Sequence, residues 1–107
     1  MITSTSGYID IDANILDAGG TQASYANAAT KDFANFSGMI IVNNTGSTGN
    51  VALWICGGGT AVKISDSVSN TSGTITSVGG INGYRWTNNT GATDTFSFVA
   101  IRTRTTG

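Results

Sequence analysis

Histidine and glutamate are absent from this chain, and all six of its acidic residues are aspartates. Without histidine, the chain has no imidazole for general acid–base catalysis, for metal binding or for the usual catalytic triads. Proline is absent too, there is one cysteine, and strong helix formers such as leucine and lysine are scarce. The single cysteine excludes an internal disulfide, and the shortage of helix formers excludes a helical bundle.

Charge is equally scarce, since only 10% of the residues are charged and the formal net charge is −1. An ordinary globular domain has roughly 25% charged residues. There is no basic stripe that would attract nucleic acid, and the longest apolar run, residues 51–56, is too short to span a bilayer. We therefore expect neither a nucleic-acid nor a membrane partner. The amino terminus also lacks the pattern of a secretory signal.

Small and β-tolerant residues dominate what is present, because 17 threonines, 15 glycines, 11 serines and 10 asparagines make up half of the chain. Apolar and polar residues alternate with a period of two, which is typical of half-buried strands. The alternation predicts seven strands, at residues 8–15, 39–42, 51–56, 61–65, 74–78, 84–87 and 95–104. For residues 22–29 the pattern leaves a helical turn, a strand or a loop open.

These short strands, separated by Gly/Asn turns, predict an all-β fold: an antiparallel, jelly-roll-like β-sandwich of about seven to eight strands. One domain covers residues 1–107, with residues 1–7 as a flexible N-terminal arm. The single cysteine, Cys56, is expected to be a small buried hydrophobe. The predicted core consists of the apolar residues on one side of each strand: Ile9, Ile11, Ile40, Val42, Leu53, Ile55, Val62, Ile64, Phe96 and Phe98.

Unguarded strand edges predict self-association. The chain has no proline to blunt an edge strand and few charges to protect one. Closed oligomers use such edges without forming filaments. We therefore expect a homo-oligomer.

Two aspartates of the first predicted strand, Asp10 and Asp12, fall on one face, about 7 Å apart by strand geometry. Such a pair could bind a hard cation such as Ca²⁺ or act as a glycosidase pair. The alternative is a solvated strand face, and no further oxygen ligands with the spacing of a calcium loop lie nearby. We expect no metal and no cofactor.

Three aromatic residues, Trp54, Tyr84 and Trp86, are candidates for a platform on which sugar rings stack. The alternative is that they pack in the core or in a subunit interface, since the chain has only nine aromatic residues. Arg85, with Arg102 and Arg104, either marks an interface with an acidic partner or provides ordinary surface charge.

One internal similarity links residues 43–51 to residues 88–96, where an Asn-Asn-Thr-Gly segment is followed by a strand in both copies. Asparagine and glycine both accept left-handed backbone angles. The segments therefore indicate the same hairpin connection used twice, with two similar loops at one end of a sandwich, or a coincidence of composition.

Three segments, residues 37–44, 52–59 and 83–89, resemble small β-sandwich proteins on the surface of tailed bacteriophages. Those proteins include capsid decoration (cement) proteins and fibre-head domains, notably of cyanophages. The resemblance covers residues 33–104. It rests on the general character of the sequence and on the order of its strands, and not on a diagnostic motif. It implies a jelly-roll-like sandwich, often trimeric, without enzymatic activity, and no catalytic residue is carried over.

Together these observations predict a non-enzymatic structural protein on the virion surface, assembled in the host cytoplasm. Its expected partners are further copies of itself, with a trimer favoured by the resemblance, and the major capsid protein or another virion protein. A fibre-head or lectin-like module that binds a host glycan is the alternative. A glycosidase that uses aspartates is a third hypothesis.

Overall fold

The computed structural model describes residues 15–18, 22–46, 50–68, 71–79 and 83–103. Within these ranges the chain forms nine β-strands and no helix. No helix that could cross a membrane occurs in the part of the chain described. The strands are β1 (Ile15–Ala18), β2 (Ala23–Tyr25), β3 (Thr30–Phe33), β4 (Gly38–Asn44), β5 (Asn50–Gly57), β6 (Thr60–Asp66), β7 (Thr74–Gly79), β8 (Gly83–Thr87) and β9 (Asp94–Arg102).

The strands form two antiparallel sheets. Sheet A has the order β1-β9-β4-β5-β6, with β2 also paired to β9, and sheet B has the order β3-β8-β7. Strands β4, β5 and β6 follow one another as a meander. The chain passes from one sheet to the other between β2 and β3, β3 and β4, β6 and β7, and β8 and β9, so that the sheets are interwoven. The fold is the all-β, antiparallel sandwich that the alternation predicts.

The core lies between the two sheets and is rich in aromatic rings. Sheet A contributes apolar residues of β4, β5 and β9, and sheet B contributes residues of β3, β7 and β8. Trp86 lies at the centre, with its ring centroid 4.6 Å from that of Phe96 and 4.9 Å from that of Phe98, both in edge-to-face geometry. The buried apolar residues are Phe33, Phe36, Ile40, Val42, Ala52, Trp54, Cys56, Ile75, Tyr84, Trp86, Phe96, Phe98 and Ala100.

The core prediction is right for β4 and β9 and wrong for β5 and β6. Ile40, Val42, Phe96 and Phe98 are buried, as expected. In β5, however, Ala52, Trp54 and Cys56 point inward, and the alternate residues of that strand point outward. Four residues assigned to the core therefore lie on the outside or are only half-buried: Leu53, Ile55, Val62 and Ile64. The reason is that both sides of β5 are apolar, so that alternation alone could not choose between them.

The β5–β6 hairpin shows why three consecutive glycines follow β5. Gly57 pairs with Thr60, and the two residues between them have φ angles of +59° at Gly58 and +77° at Gly59. Consecutive left-handed residues make the tight turn whose twist matches that of the two strands, and glycine adopts them without strain. The prediction that the glycines end the strand is confirmed.

Strand boundaries agree best where alternation is strong. The segment for which alternatives stayed open contains the short strand β2, and β3 was not predicted at all because its Thr-Lys-Asp-Phe sequence has one apolar residue. The predicted strand at residues 8–15 and the core residues Ile9 and Ile11 lie outside the described residues, apart from Ile15 at the start of β1. The predicted arm, residues 1–7, lies outside them too.

Candidate functional site

An apolar surface covers the outer side of sheet A. Strand alternation turns Ile40 and Val42 into the core, and it therefore turns Met39 and Ile41 outward. Neighbouring strands bring their own apolar residues beside these two. We call this surface the apolar face and define it by eight residues: Met39, Ile41, Val51, Leu53, Ile55, Val62, Val99 and Ile101.

The register places these residues in rows that run across the strands. Met39 of β4 is paired with Ile101 of β9 on one side and with Ile55 of β5 on the other, and Ile55 is paired with Val62 of β6. The side chains of Ile55 and Val62 are 44% and 50% exposed. Four neighbouring strands thus contribute to one uninterrupted apolar row.

A second row runs parallel to the first. Ile41 of β4 is paired with Val99 of β9 and with Leu53 of β5. Val51 lies next to this row, and Ile41, Val51 and Leu53 line a shallow depression in the surface. With strands about 4.8 Å apart and same-face residues about 7 Å apart, each residue covers about 34 Å² of the sheet, so that the eight residues together cover roughly 270 Å².

None of the eight residues of the apolar face is charged, but Asp66 lines one side of the depression beside Ile41 and Leu53. Its polar neighbours in the register are Asn43, Ser65 and Ser97. The two charged residues of β6, Lys63 and Asp66, are paired with inward-facing positions of β5 and make an ion pair of 2.9 Å with each other. Apolar patches of a few hundred Å² are among the largest that ordinary monomers expose, and they are often functional.

The outer side of sheet B has the opposite character. Thr30, Thr87 and Thr74 form one row across its three strands, and Asp32, Arg85 and Thr76 form the next. Hydroxyl and charged groups thus cover this side. The two outer surfaces of the sandwich therefore differ sharply, one apolar and the other polar.

Arg85, one of the predicted site residues, lies in the middle of this polar surface. Its guanidinium donates two hydrogen bonds to the Asp32 carboxylate, of 2.7 Å from Nε and 3.1 Å from Nη2. The hydrogen bond from Arg85 lowers the pKa of Asp32 below its ordinary value. Because Arg85 already has an acidic partner in its own chain, its charge is largely compensated. Arg102 ends β9, and Arg104 lies outside the described residues.

The aromatic site residues are in the core rather than on the surface. Trp54 is 6% exposed, and Tyr84 and Trp86 are fully buried. Trp86 also donates a hydrogen bond of 2.8 Å from its indole nitrogen to the carbonyl of Ser72. A sugar ring stacks only on an exposed ring face. The predicted stacking platform is therefore not available in this structure, and these rings pack the two sheets together instead.

Two buried asparagines organise one end of the sandwich. The carboxamide of Asn88 donates to the carbonyls of Tyr25 and Ala92 at 2.9 Å and to that of Ala26 at 3.2 Å, and it accepts from the backbone N–H of Thr90. One side chain thereby joins β2, the β2–β3 turn and the β8–β9 loop.

Asn44 does the same at the end of β4. Its carboxamide donates to the carbonyl of Thr71 at 2.9 Å and to the carboxylate of Asp94 at 3.0 Å, and it accepts from the N–H of Gly46. In both asparagines the side-chain oxygen thus receives the N–H two residues later. The structural counterpart of Asn88 is therefore Asn44, one residue later than the internal alignment of Asn43 with Asn88 implies.

The repeated segments lie at the same end of the sandwich, which agrees with the interpretation of two similar loops at one end. The backbone N–H groups of Thr45 and Gly46 donate to the carbonyl of Thr95, at the start of β9. The connections themselves differ, however, since β4 and β5 form a hairpin within sheet A, whereas the β8–β9 loop crosses between the sheets. The prediction of the same hairpin used twice is wrong for the second copy.

Cys56 is buried on β5, as predicted, and burial raises the pKa of its thiol to about 11. A thiol with so high a pKa stays protonated near neutrality and is a poor nucleophile. Asp10 and Asp12 lie outside the described residues. Within the residues described, no group of three or more cysteine or aspartate side chains comes together that could hold a metal ion.

No protein-family model matches the chain, and no curated protein or solved structure matches it. The apolar face is thus the feature of this structure that best supports an interaction. Sequence reasoning placed three of its residues, Leu53, Ile55 and Val62, in the core. The run of apolar residues on both sides of β5 also predicts a strand covered on both faces, whereas Val51 and Ile55 are 38% and 44% exposed in this structure.

Proposed function

We propose that this protein is a non-enzymatic structural component of a phage particle. In this proposal it binds the outside of the capsid as a decoration or cement protein and stabilises the shell. The phage context derives from the resemblance of residues 33–104 to phage surface proteins. The observation that carries the docking role is the contrast between the apolar face and the polar outer side of sheet B.

A protein attached to a shell needs one side that is covered and another that faces water. The apolar face would lose water on docking, and apolar burial stabilises association by about 25 cal/mol per Å² before the costs of binding are subtracted. The threonines and the Asp32–Arg85 pair would remain hydrated on the opposite side. The partner is the major capsid protein or another virion protein with an uncharged, apolar patch.

The first experiment is to locate the protein by cryo-EM of the particle whose genome encodes it. The proposal predicts density on the outer surface of the shell, with sheet A toward the shell and sheet B toward solvent. Density at a fibre tip would support the fibre-head alternative, and absence from the particle would contradict both.

A binding experiment then tests the face itself. Ile55→Lys places a charge on the apolar face between Met39 and Val62, and Thr30→Lys places the same charge on the exposed outer side of sheet B. Particles lacking the protein are mixed with each variant and sedimented, and the bound copies are counted. Ile55→Lys should reduce binding at least about tenfold, since desolvating an unpaired charge is costly. Thr30→Lys should bind like the original chain, and equal binding by both variants would refute docking through this face.

The alternative function is a glycan-binding module. It would require an exposed aromatic ring or a polar groove, and the three candidate rings are buried. A shallow groove at the asparagine end, lined by Asn27, Asn88 and Asn89 among others, offers amide groups. Binding of glycans to an array by the original chain, lost in Asn89→Ala, would favour this function over docking.

A further inference from the structure

Strands β6 and β7 lie next to each other at one side of the sandwich, and β7 provides a strand edge there that carries no charge. Strand β7 ends sheet B, and among the described residues it pairs only with β8. Its six residues, Thr74–Gly79, include no charge and no proline. From Thr76 to Gly79 they are exposed. An uncharged edge strand without proline or a covering element is a template for pairing with another strand.

Two other edge strands of the described fold, β3 and β6, carry charges that β7 does not. Strand β3, at the opposite edge of sheet B, carries Lys31 and Asp32, and Lys31 points inward over the rings of Phe33 and Phe98. Strand β6 contains the Lys63–Asp66 pair, and its register with β5 is interrupted between Leu53 and Trp54. Charges on an edge strand are a device by which proteins prevent edge-to-edge association, and β7 lacks them, although its own register with β8 is interrupted between Ser77 and Gly79.

Exposed apolar side chains accompany the unprotected edge. Strand β6 lies beside β7 at this side of the sandwich. Ile64 of β6 is 55% exposed, and Val68, in the connection from β6 to β7, and Val78 of β7 are exposed as well. Among the described residues, an edge strand without a second strand partner and exposed apolar residues thus occur together on one side of the molecule, which we call the β7 side.

We propose that the β7 side binds a second copy of this chain, with the two β7 strands pairing antiparallel about a two-fold axis. An uncharged strand is complementary to itself, because antiparallel pairing brings no like charges together. Threonines opposite one another are favourable cross-strand pairs. Pairing would join the two three-stranded sheets B into one six-stranded sheet, and the two-fold symmetry closes the assembly at two copies.

The symmetry has a consequence for the apolar face. When two edge strands pair antiparallel in one sheet, the two-fold axis is perpendicular to that sheet, so that both copies present the same side in the same direction. The two apolar faces would then lie side by side and together cover roughly 540 Å², about two thirds of the roughly 800 Å² that one partner contributes to a stable protein interface. A single face supplies only about a third of that interface area. The pairing itself does not depend on what the apolar face binds.

Sedimentation equilibrium over roughly 1 µM to 1 mM tests the stoichiometry. We expect a mass that rises with concentration from 10.9 kDa to twice that value. Thr76→Lys, which puts a charge on the free edge, should weaken association at least about tenfold. The matched control is Thr30→Lys, an exposed threonine of the same sheet surface on the opposite edge strand, and it should leave association unchanged. Circular dichroism of both variants verifies that the fold is retained.

Hydrogen exchange of the unmodified chain gives an independent measurement. Backbone amides of β7 should exchange more slowly at high than at low concentration, and amides of β3 should not. The proposal is overturned if the chain stays monomeric to 1 mM, if it forms the trimer that the family resemblance implies, or if Ile55→Lys abolishes association while Thr76→Lys does not. The last result would mean that copies meet through the apolar face. If the unmodified chain forms this dimer but does not bind particles, only the proposed function is contradicted.

Discussion

Two isoleucines in the paired strands β4 and β5 test which side of each strand faces the core. Ile40 and Ile55 both lie in central strands of sheet A, but Ile40 is fully buried between the sheets and Ile55 is 44% exposed on the apolar face. Ile→Ala removes three carbon atoms at either position. Any difference in the free energy of unfolding therefore reports the environment and not the chemistry of the substitution.

At Ile40 the three buried carbons correspond to about 2.4 kcal/mol of transfer free energy, at about 0.8 kcal/mol each. A cavity next to Trp54, its paired neighbour on β5, adds to this cost. The total should lie within the range of about 2–5 kcal/mol that is typical of such core truncations. At Ile55 only about half of the side chain is withdrawn from water and the site opens to solvent, so that a loss of about 1 kcal/mol is expected.

The assay is equilibrium unfolding in urea, followed by tryptophan fluorescence because both tryptophans are buried. Concentrations low enough to keep the chain monomeric are used, so that association does not contribute. If Ile55→Ala lowers the free energy of unfolding as much as Ile40→Ala does, the apolar face is covered within the monomer. The docking proposal is then contradicted, because it requires this face to be exposed.

Three further outcomes follow from the asparagine end, one glycine and the cysteine. Asn88→Ala should cost about 2–3 kcal/mol, because three carbonyls lose a buried donor, whereas exposed Asn89→Ala should change the unfolding free energy by less than about 0.5 kcal/mol. Gly73→Ala should destabilise by more than about 2 kcal/mol and Gly91→Ala by only about 1 kcal/mol: both φ angles are positive, but a Cβ at Gly73 would lie 2.2 Å from the indole nitrogen of Trp86, and at Gly91 it would meet nothing within 4 Å. Because the pKa of Cys56 is raised from 9.0 to about 11 on folding, the folded state holds its proton more tightly, and stability should fall between pH 9 and about 11. That loss should be absent in Cys56→Ala, and a thiol that reacts with a disulfide reagent at pH 8 in the folded state would contradict the burial.

The sequence by itself determined the fold class and most strand positions. Alternation of apolar with polar residues is a local property of the sequence. It indicates strands because each strand has one side in the core. Glycines in tandem are equally local signals, since the left-handed turn at Gly58 and Gly59 depends on the backbone of those two residues. Cys56 could be assigned to a buried strand for the same reason, as its neighbours on β5 are apolar.

Only the tertiary structure decided which side of a strand is covered and which strands are neighbours. A period of two distinguishes two sides, but when both are apolar, as around Leu53 and Trp54, the choice depends on the residues of other strands that fill the space. Pairing of β4 with β9 joins residues more than fifty positions apart, and no local pattern encodes it. The apolar face exists because four such strands align in register. The burial of Trp54, Tyr84 and Trp86 likewise depends on how two sheets pack, which a single strand cannot show.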